Sequence, residues 1–151
     1  MAGPPATDEN GGFLPDPERP GWYFRPASET GRFVDLFGVC WLKPEPPRHA
    51  RIRIEAREFF ANQIHSVHGG LLMALADQAL FIGAIAVGVP VAGGLTVDAT
   101  CQFLGKGRIG VPLDVTTEVL KETRRMVFVR GLIEQEGESV FAFSGTLRKP
   151  A

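Results

Sequence analysis

The sequence predicts an α+β fold, an antiparallel sheet of about five to six strands wrapped around one long central helix. Three observations carry this expectation. Residues 70 to 87 form a nearly unbroken run of apolar helix formers, and a helix that is apolar all round is a buried helix. After residue 94 the chain turns to β-branched and aromatic segments separated by short turns, the pattern of consecutive antiparallel strands. Two strand-like segments also precede the helix. One curved sheet can cover most of such a helix, and a second copy of the chain can cover the remainder.

In chain order, residues 1–20 are rich in Pro, Gly, Asp and Glu without apolar periodicity, and read as a flexible lead-in to a single domain over 21–151. Aromatic residues then accumulate from Trp22 to Trp41. GRFVDLFGVCWLK reads as a strand and KPEPPRHA as the loop that ends it. RIRIEARE alternates and reads as a second strand. The helix follows and should stop near Gly88-Val89-Pro90, since Gly and Pro end helices. LTVDATCQFL, PLDVTTEVL, RMVFVRGLIEQ and SVFAFSGTLRK are the four remaining strands, joined by GKGRIG, KETR and EGE.

The totals narrow the function. With 151 residues, 44% hydrophobic and 22% charged, the chain is an ordinary globular domain. A net charge of −1 offers no electrostatic case for nucleic acid or an anionic membrane as the main partner. The apolar stretch Leu71 to Val87 is short for a membrane span and is interrupted by Asp77 and Gln78. The start, MAGPPATDENGG, has neither the basic residues nor the apolar core of a signal peptide. Cys40 and Cys101 form no CxxC and read as buried thiols of a reducing compartment. The expected location is the cytoplasm.

The stretch NQIHSVHGGLLMALADQA, residues 62 to 79, poses the functional question. It sets one carboxylate, Asp77, among Leu, Met and Ala, where burial is costly unless something uses the charge. His65 and His68 are spaced H-x2-H, but a third metal ligand is not evident beyond Asp77 itself. A hydrogen-bonded, buried ring is expected for His68, a loop position for His65, and no metal. Read structurally, Asp77 satisfies backbone amides, and Gly69-Gly70 only allows tight packing.

The arrangement Asn62-x5-His68-Gly69-Gly70-x6-Asp77, followed by GLTVDATCQFL, resembles the hotdog-fold acyl-CoA thioesterases, closest to the PaaI-like and thioesterase superfamily member 2-like branch. The resemblance covers roughly Gly31 to Lys149 and implies a hotdog fold with dimers whose active sites lie at the subunit interface. By position, it implies Asp77 as the catalytic acid and the Gly69 amide as the oxyanion donor. It gives Asn62 the orienting of water or thioester, with His68 beside it, and Thr96 the support of the acid. Three departures stand out: the lead-in of about 30 residues, the Pro-rich link at 44–48, and the HSV that precedes the His68-Gly69-Gly70 triplet and adds His65.

The chemistry suits these residues. A glycine-rich helix start leaves N–H groups open at the positive end of the helix dipole, a cradle for a developing oxyanion. A poorly solvated Asp77 would be a stronger base or nucleophile than an exposed one. Gly69 and Asp77 are about 12 Å apart along one helix at about 1.5 Å per residue, yet both must reach one carbonyl. Two antiparallel helices related by a two-fold axis bring Asp77 of one level with Gly69 of the other. Read as catalytic, the spacing therefore predicts a composite site in an obligate homodimer, with further pairing into a tetramer open.

Coenzyme A, part of the substrate rather than a cofactor, would need cations for its phosphates; Arg108, Lys121, Arg124 and Arg125 are candidates in or beside turns. Gly70, Phe59, Phe60, Met73, Leu80 and Phe81 are candidates for substrate contact and the acyl-pocket wall. No separate cofactor is expected, and the partners expected are an acyl- or aryl-CoA substrate and a second copy of the chain. Two other functions fit the same fold: a non-catalytic acyl-CoA-binding hotdog module, and a hotdog dehydratase or hydratase. Residues 1–50 hold no basic helix-turn-helix segment of the kind a DNA-binding regulator carries, and no paired base for Asp77 is evident.

Overall fold

The computed structural model describes residues 12–151. Eight strands and one long helix alternate with two short 3-10 turns: β1 (Leu14–Pro15), β2 (Tyr23–Arg25), the turn Phe33–Phe37, β3 (Cys40–Glu45), β4 (His49–Ile54), the turn Glu58–Phe60, α1 (Gly69–Ala86), β5 (Leu95–Phe103), β6 (Leu113–Glu122), β7 (Met126–Gln135) and β8 (Glu138–Arg148). The strands form one antiparallel sheet in the order β1-β2-β3-β4-β6-β7-β8-β5, which curls around α1. This is the hotdog arrangement that the sequence predicts.

The helix and the four closing strands form where the apolar runs place them. Gly88, at φ 87°, takes the left-handed conformation just past the helix, where a side chain would be strained. Burial along β6 and β7 largely alternates, the period-two mark of strands with one face on the core.

The N-terminal third differs from expectation. Residues 31–43, expected as one strand, divide into the 3-10 turn and β3. The Asp35 carboxylate accepts from the Ser28 and Thr30 hydroxyls and the Gly31 N–H, and Gly38 reverses the chain at φ 65°. The Ser28 hydrogen bond, the largest influence, holds the Asp35 carboxyl below the usual range. Lys43–Glu45 continues β3 instead of starting a loop. Part of the expected lead-in, residues 1–11, lies outside the described residues. Within 12–20, β1 pairs with β2, which pairs with β3, and Phe13 is 3% exposed. These two short strands account for the sheet having eight strands instead of five or six.

Two close approaches seat the helix. A Cβ on Gly83 would lie 2.2 Å from the Thr117 hydroxyl, and one on Gly145 would lie 2.4 Å from Leu80 Cδ1. Glycines at these points let α1 lie directly on β6 and β8. Ten of the eighteen helical residues are buried, which explains a composition apolar enough for a bilayer. Arg53 on β4 binds both oxygens of Asp114 on β6, at 2.6 and 2.9 Å. Both cysteines are free; Cys40 is buried and Cys101 partly so.

The Thr117 hydroxyl is buried with no hydrogen-bond partner among the described residues. Thr117→Val should therefore raise stability by about 1 kcal/mol in urea denaturation, since it removes an unmet polar group at nearly constant shape. Gly83→Ala should cost about 1–3 kcal/mol through overpacking, and less when Thr117→Ala is present in the same chain. Burial pushes the Cys40 thiol up to about 11, so at pH 8 it should resist a thiol reagent until the protein is unfolded; rapid native labelling of Cys40 would contradict this burial.

Candidate active site

The chain enters α1 through a turn that Asn62 organises. Its Oδ1 accepts the N–H groups of Ile64 and Ser66, each at 3.0 Å, and its Nδ2 donates to the Ser66 hydroxyl at 3.0 Å. Inside this turn His65 takes φ 56°, and its Nε2 meets a Glu58 carboxylate oxygen at 2.8 Å. Val67 N–H then donates to Gly107, and His68 N–H to Phe60, which fixes the approach to the helix.

His68 caps the helix. Its Nδ1 accepts the Gly70 N–H at 2.8 Å. The ring is exposed, not buried as expected, because the cap turns it outward from the first turn. With Nδ1 accepting, the neutral ring carries its proton on Nε2 and can donate there. The Gly70 N–H is thus used within the chain, whereas the Gly69 N–H has no acceptor among the described residues. It is an open donor at the positive end of α1. Glycine also leaves room here: a Cβ on Gly69 would lie 2.8 Å from Cε1 of the Phe103 ring on β5, so that ring would have to shift.

Asp77 lies in the middle of α1, half-buried, and its Oδ1 accepts the Thr96 hydroxyl at 2.7 Å. Thr96 lies at a register shift between β5 and β8, the kind of irregularity that re-aims a side chain beside a site. Met73, Asp77, Gln78 and Phe81 form a stripe of α1 left partly open by the sheet. Next to it runs β5, an edge strand with Leu95, Val97 and Phe103 exposed by 57%, 54% and 57%. A long apolar edge of this kind is a template for another strand.

The structure brings Thr96 to Asp77, and Asn62 and His68 to the helix start. Within one chain, Asp77 and the Gly69 N–H remain about 12 Å apart along the helix axis. Among the substrate-contact candidates, Phe59 is 79% exposed and borders a groove with Phe33, Leu36, Phe60, His68 and Leu71. Met73 and Phe81 belong to the open stripe. Leu80 is fully buried against Gly145 and is core, not pocket wall.

The basic candidates separate. Arg124 and Arg125, in the β6–β7 turn, share a concavity with Arg148 and Lys149, and Lys121 lies in the strand leading to that turn. Arg108 sits at the other end of the sheet, where its guanidinium meets Glu136 at 3.1 Å. The buried Gln135 amide holds the Arg108 N–H and C=O and the Val111 C=O. Among the described residues, no three His, Cys, Asp or Glu side chains gather to hold a metal ion. Sequence reasoning missed Arg148, Lys149, Phe103 and Gln135; only the LRK ending of the last strand hinted at the first two, and strand register decides the others.

A profile of the thioesterase superfamily matches residues 65–142. The chain is 28% identical over 127 residues to a Pseudomonas aeruginosa protein with a provisional esterase name, spanning 84% of this chain and 95% of the relative. Among solved structures it is similar to a hypothetical thioesterase protein with coenzyme A from Streptococcus pneumoniae (TM-score 0.67, 19% identity, 74% of this chain and 86% of that one). It is likewise similar to thioesterase superfamily member 2 from Mus musculus (TM-score 0.69, 18% identity, 78% and 87%). At these identities the structural likeness speaks for the fold.

Gln135→Leu should strand three backbone groups around Arg108. We expect a loss of about 1–3 kcal/mol in stability and faster amide hydrogen exchange at Arg108; unchanged exchange would contradict the pinning role.

Proposed function

The chain belongs to the thioesterase superfamily, and on that footing we propose that it hydrolyses acyl-CoA, or acyl-carrier-protein, thioesters to a free acid and a thiol. One observation carries the reading: Asp77, bonded to Thr96, lies on the uncovered stripe of α1 while the Gly69 N–H stays open at the helix start.

The site is composite. Two copies pair across the β5 edges and the open stripes of α1, with the helices antiparallel. Asp77 of one subunit then faces the partner subunit's Gly69, which resolves the separation of the two groups within a single chain. The thioester carbonyl lies between them, its oxygen on the Gly69 N–H, where negative charge develops. As general base, Asp77 takes a proton from water as the water oxygen bonds to the carbonyl carbon. The C–S bond then breaks, and the departing sulfur takes up a proton as the thiol. As nucleophile, Asp77 bonds to the carbon first, the C–S bond breaks and the sulfur leaves as the thiol after taking up a proton, and water splits the resulting anhydride. Thr96 holds the carboxylate in place, and His68, with its free Nε2–H, lies beside the carbonyl. Asn62 supports this geometry by shaping the turn.

Arg124 and Arg125, with Arg148, suit the phosphates of coenzyme A, and the Streptococcus pneumoniae protein of the same fold was solved with coenzyme A. Arg108, from the opposite end of the sheet, reaches the same site only from the partner subunit. The reaction needs no cofactor beyond the coenzyme A of the substrate. Two free cysteines fit a reducing compartment such as the cytoplasm.

Asp77→Ala and Asp77→Asn should lower kcat/KM on a panel of acyl- and aryl-CoA esters by about 10²–10⁴, measured as thiol release. Hydrolysis at the native rate in both variants would remove Asp77 from the reaction. A single turnover in ¹⁸O-water tests the nucleophilic role: label in Asp77 marks it as the nucleophile, since a general base exchanges no carboxylate oxygen with water.

A further inference from the structure

A small cavity lies between α1 and the N-terminal strands, on the side of the helix away from β5. It is bordered by Phe13 and Tyr23 from the N-terminal segment and by Gln78, Phe81, Ile85 and Ala86 from the helix. We propose that this cavity is the acyl subsite, and that it selects acyl groups of about six carbons or one aromatic ring. The inference rests on the thioesterase reading and adds the substrate class that the reading leaves open.

Position is the first reason. Gln78 follows Asp77 directly, and Phe81 is four residues on, next to Asp77 on the same helix face. The cavity wall therefore begins within about one helical turn, or about 5.4 Å, of Asp77. The basic concavity of Arg124, Arg125 and Arg148 adjoins Leu95, one residue before Thr96, on the β5 side of the helix. A thioester lying across Asp77 thus sends coenzyme A to one side of α1 and its acyl group to the other.

Size and polarity are the second reason. The cavity holds about 150 Å³ and its wall is almost wholly apolar; an apolar cavity of about that volume stays dry and takes a benzene-sized guest. The other hollows fit less well. The concavity on the outer sheet face is lined by Thr116, Glu118, Arg130 and Ser144, and the groove beside Phe59 is shallow and open to solvent.

The third reason is which segment closes the cavity. Phe13, 3% exposed, and Tyr23 come from β1, β2 and their approach, which precede the residues that match the superfamily profile. The Arg25 guanidinium stacks over the Phe13 ring at 5.2 Å and holds this wall against the helix. The N-terminal segment is therefore a specificity element of this chain, added to the shared reaction centre.

The test measures kcat/KM on acetyl-, hexanoyl-, benzoyl- and dodecanoyl-CoA for the full chain and two variants whose folding is checked by circular dichroism. The native protein should prefer hexanoyl and benzoyl esters at least tenfold over acetyl and dodecanoyl. Ala86→Phe, which fills the cavity, should lower the hexanoyl-to-acetyl ratio at least tenfold. Phe81→Ala, which enlarges it, should move the preference toward dodecanoyl. Ratios that stay unchanged in both folded variants overturn the subsite. If the native protein splits none of these esters, the hydrolytic reading fails, and calorimetric binding decides the subsite alone. Tighter binding of hexanoyl- than acetyl-CoA, lost in Ala86→Phe, supports it; equal binding of the two esters overturns it.

Discussion

A single sheet has two edges, and it cannot close completely around a helix. That constraint governs this molecule. Six strands, β3 to β8, pack on α1, yet a stripe from Met73 through Asp77 to Phe81 stays open. In a free-standing chain such a stripe, next to an exposed apolar edge strand, would be a liability. In the proposed dimer a second copy turns it into an interface, and the one carboxylate on the stripe then has a reason to be there.

The closeness of helix and sheet follows from a few glycines. Gly83 and Gly145 bring α1 down onto β6 and β8, and Thr96 on β5 reaches Asp77 at 2.7 Å. Gly69 eases the approach at the helix start, where a Cβ would lie 2.8 Å from the Phe103 ring. The N–H of the same glycine has no acceptor among the described residues.

Much of this was legible in the sequence, for physical reasons that name their own limits. The helix and β5 to β8 were readable because an apolar run of helical length differs sharply from β-branched and aromatic segments separated by short turns, and Gly88 marked the change. The N-terminal elements were not. FVDLF has strand-like composition, and it turns only because Asp35 gathers donors from residues 28 to 31. Leu14–Pro15 and Tyr23–Arg25 are too short to show a period and depend on β3 for pairing. Asp77, Gly69 and Thr96 came from a motif resemblance, and the Thr96–Asp77 bond is what the coordinates add to it. The contact of Phe103 with Gly69, and the union of Arg124 with Arg148, depend on strand register, which no local pattern records.

The claim that two chains share each reaction centre is tested most directly by subunit complementation. A chain carrying Asp77→Asn and a chain carrying Gly69→Pro, which removes the N–H at a first helical position that tolerates proline, each expected to be inactive alone, are co-expressed with different tags, and the mixed dimer is isolated. One of its two centres then joins an intact Asp77 to an intact Gly69, so thioester hydrolysis should return to about half the native rate per dimer. A mixed dimer no more active than its parents would place both groups of each centre in one chain and contradict the account.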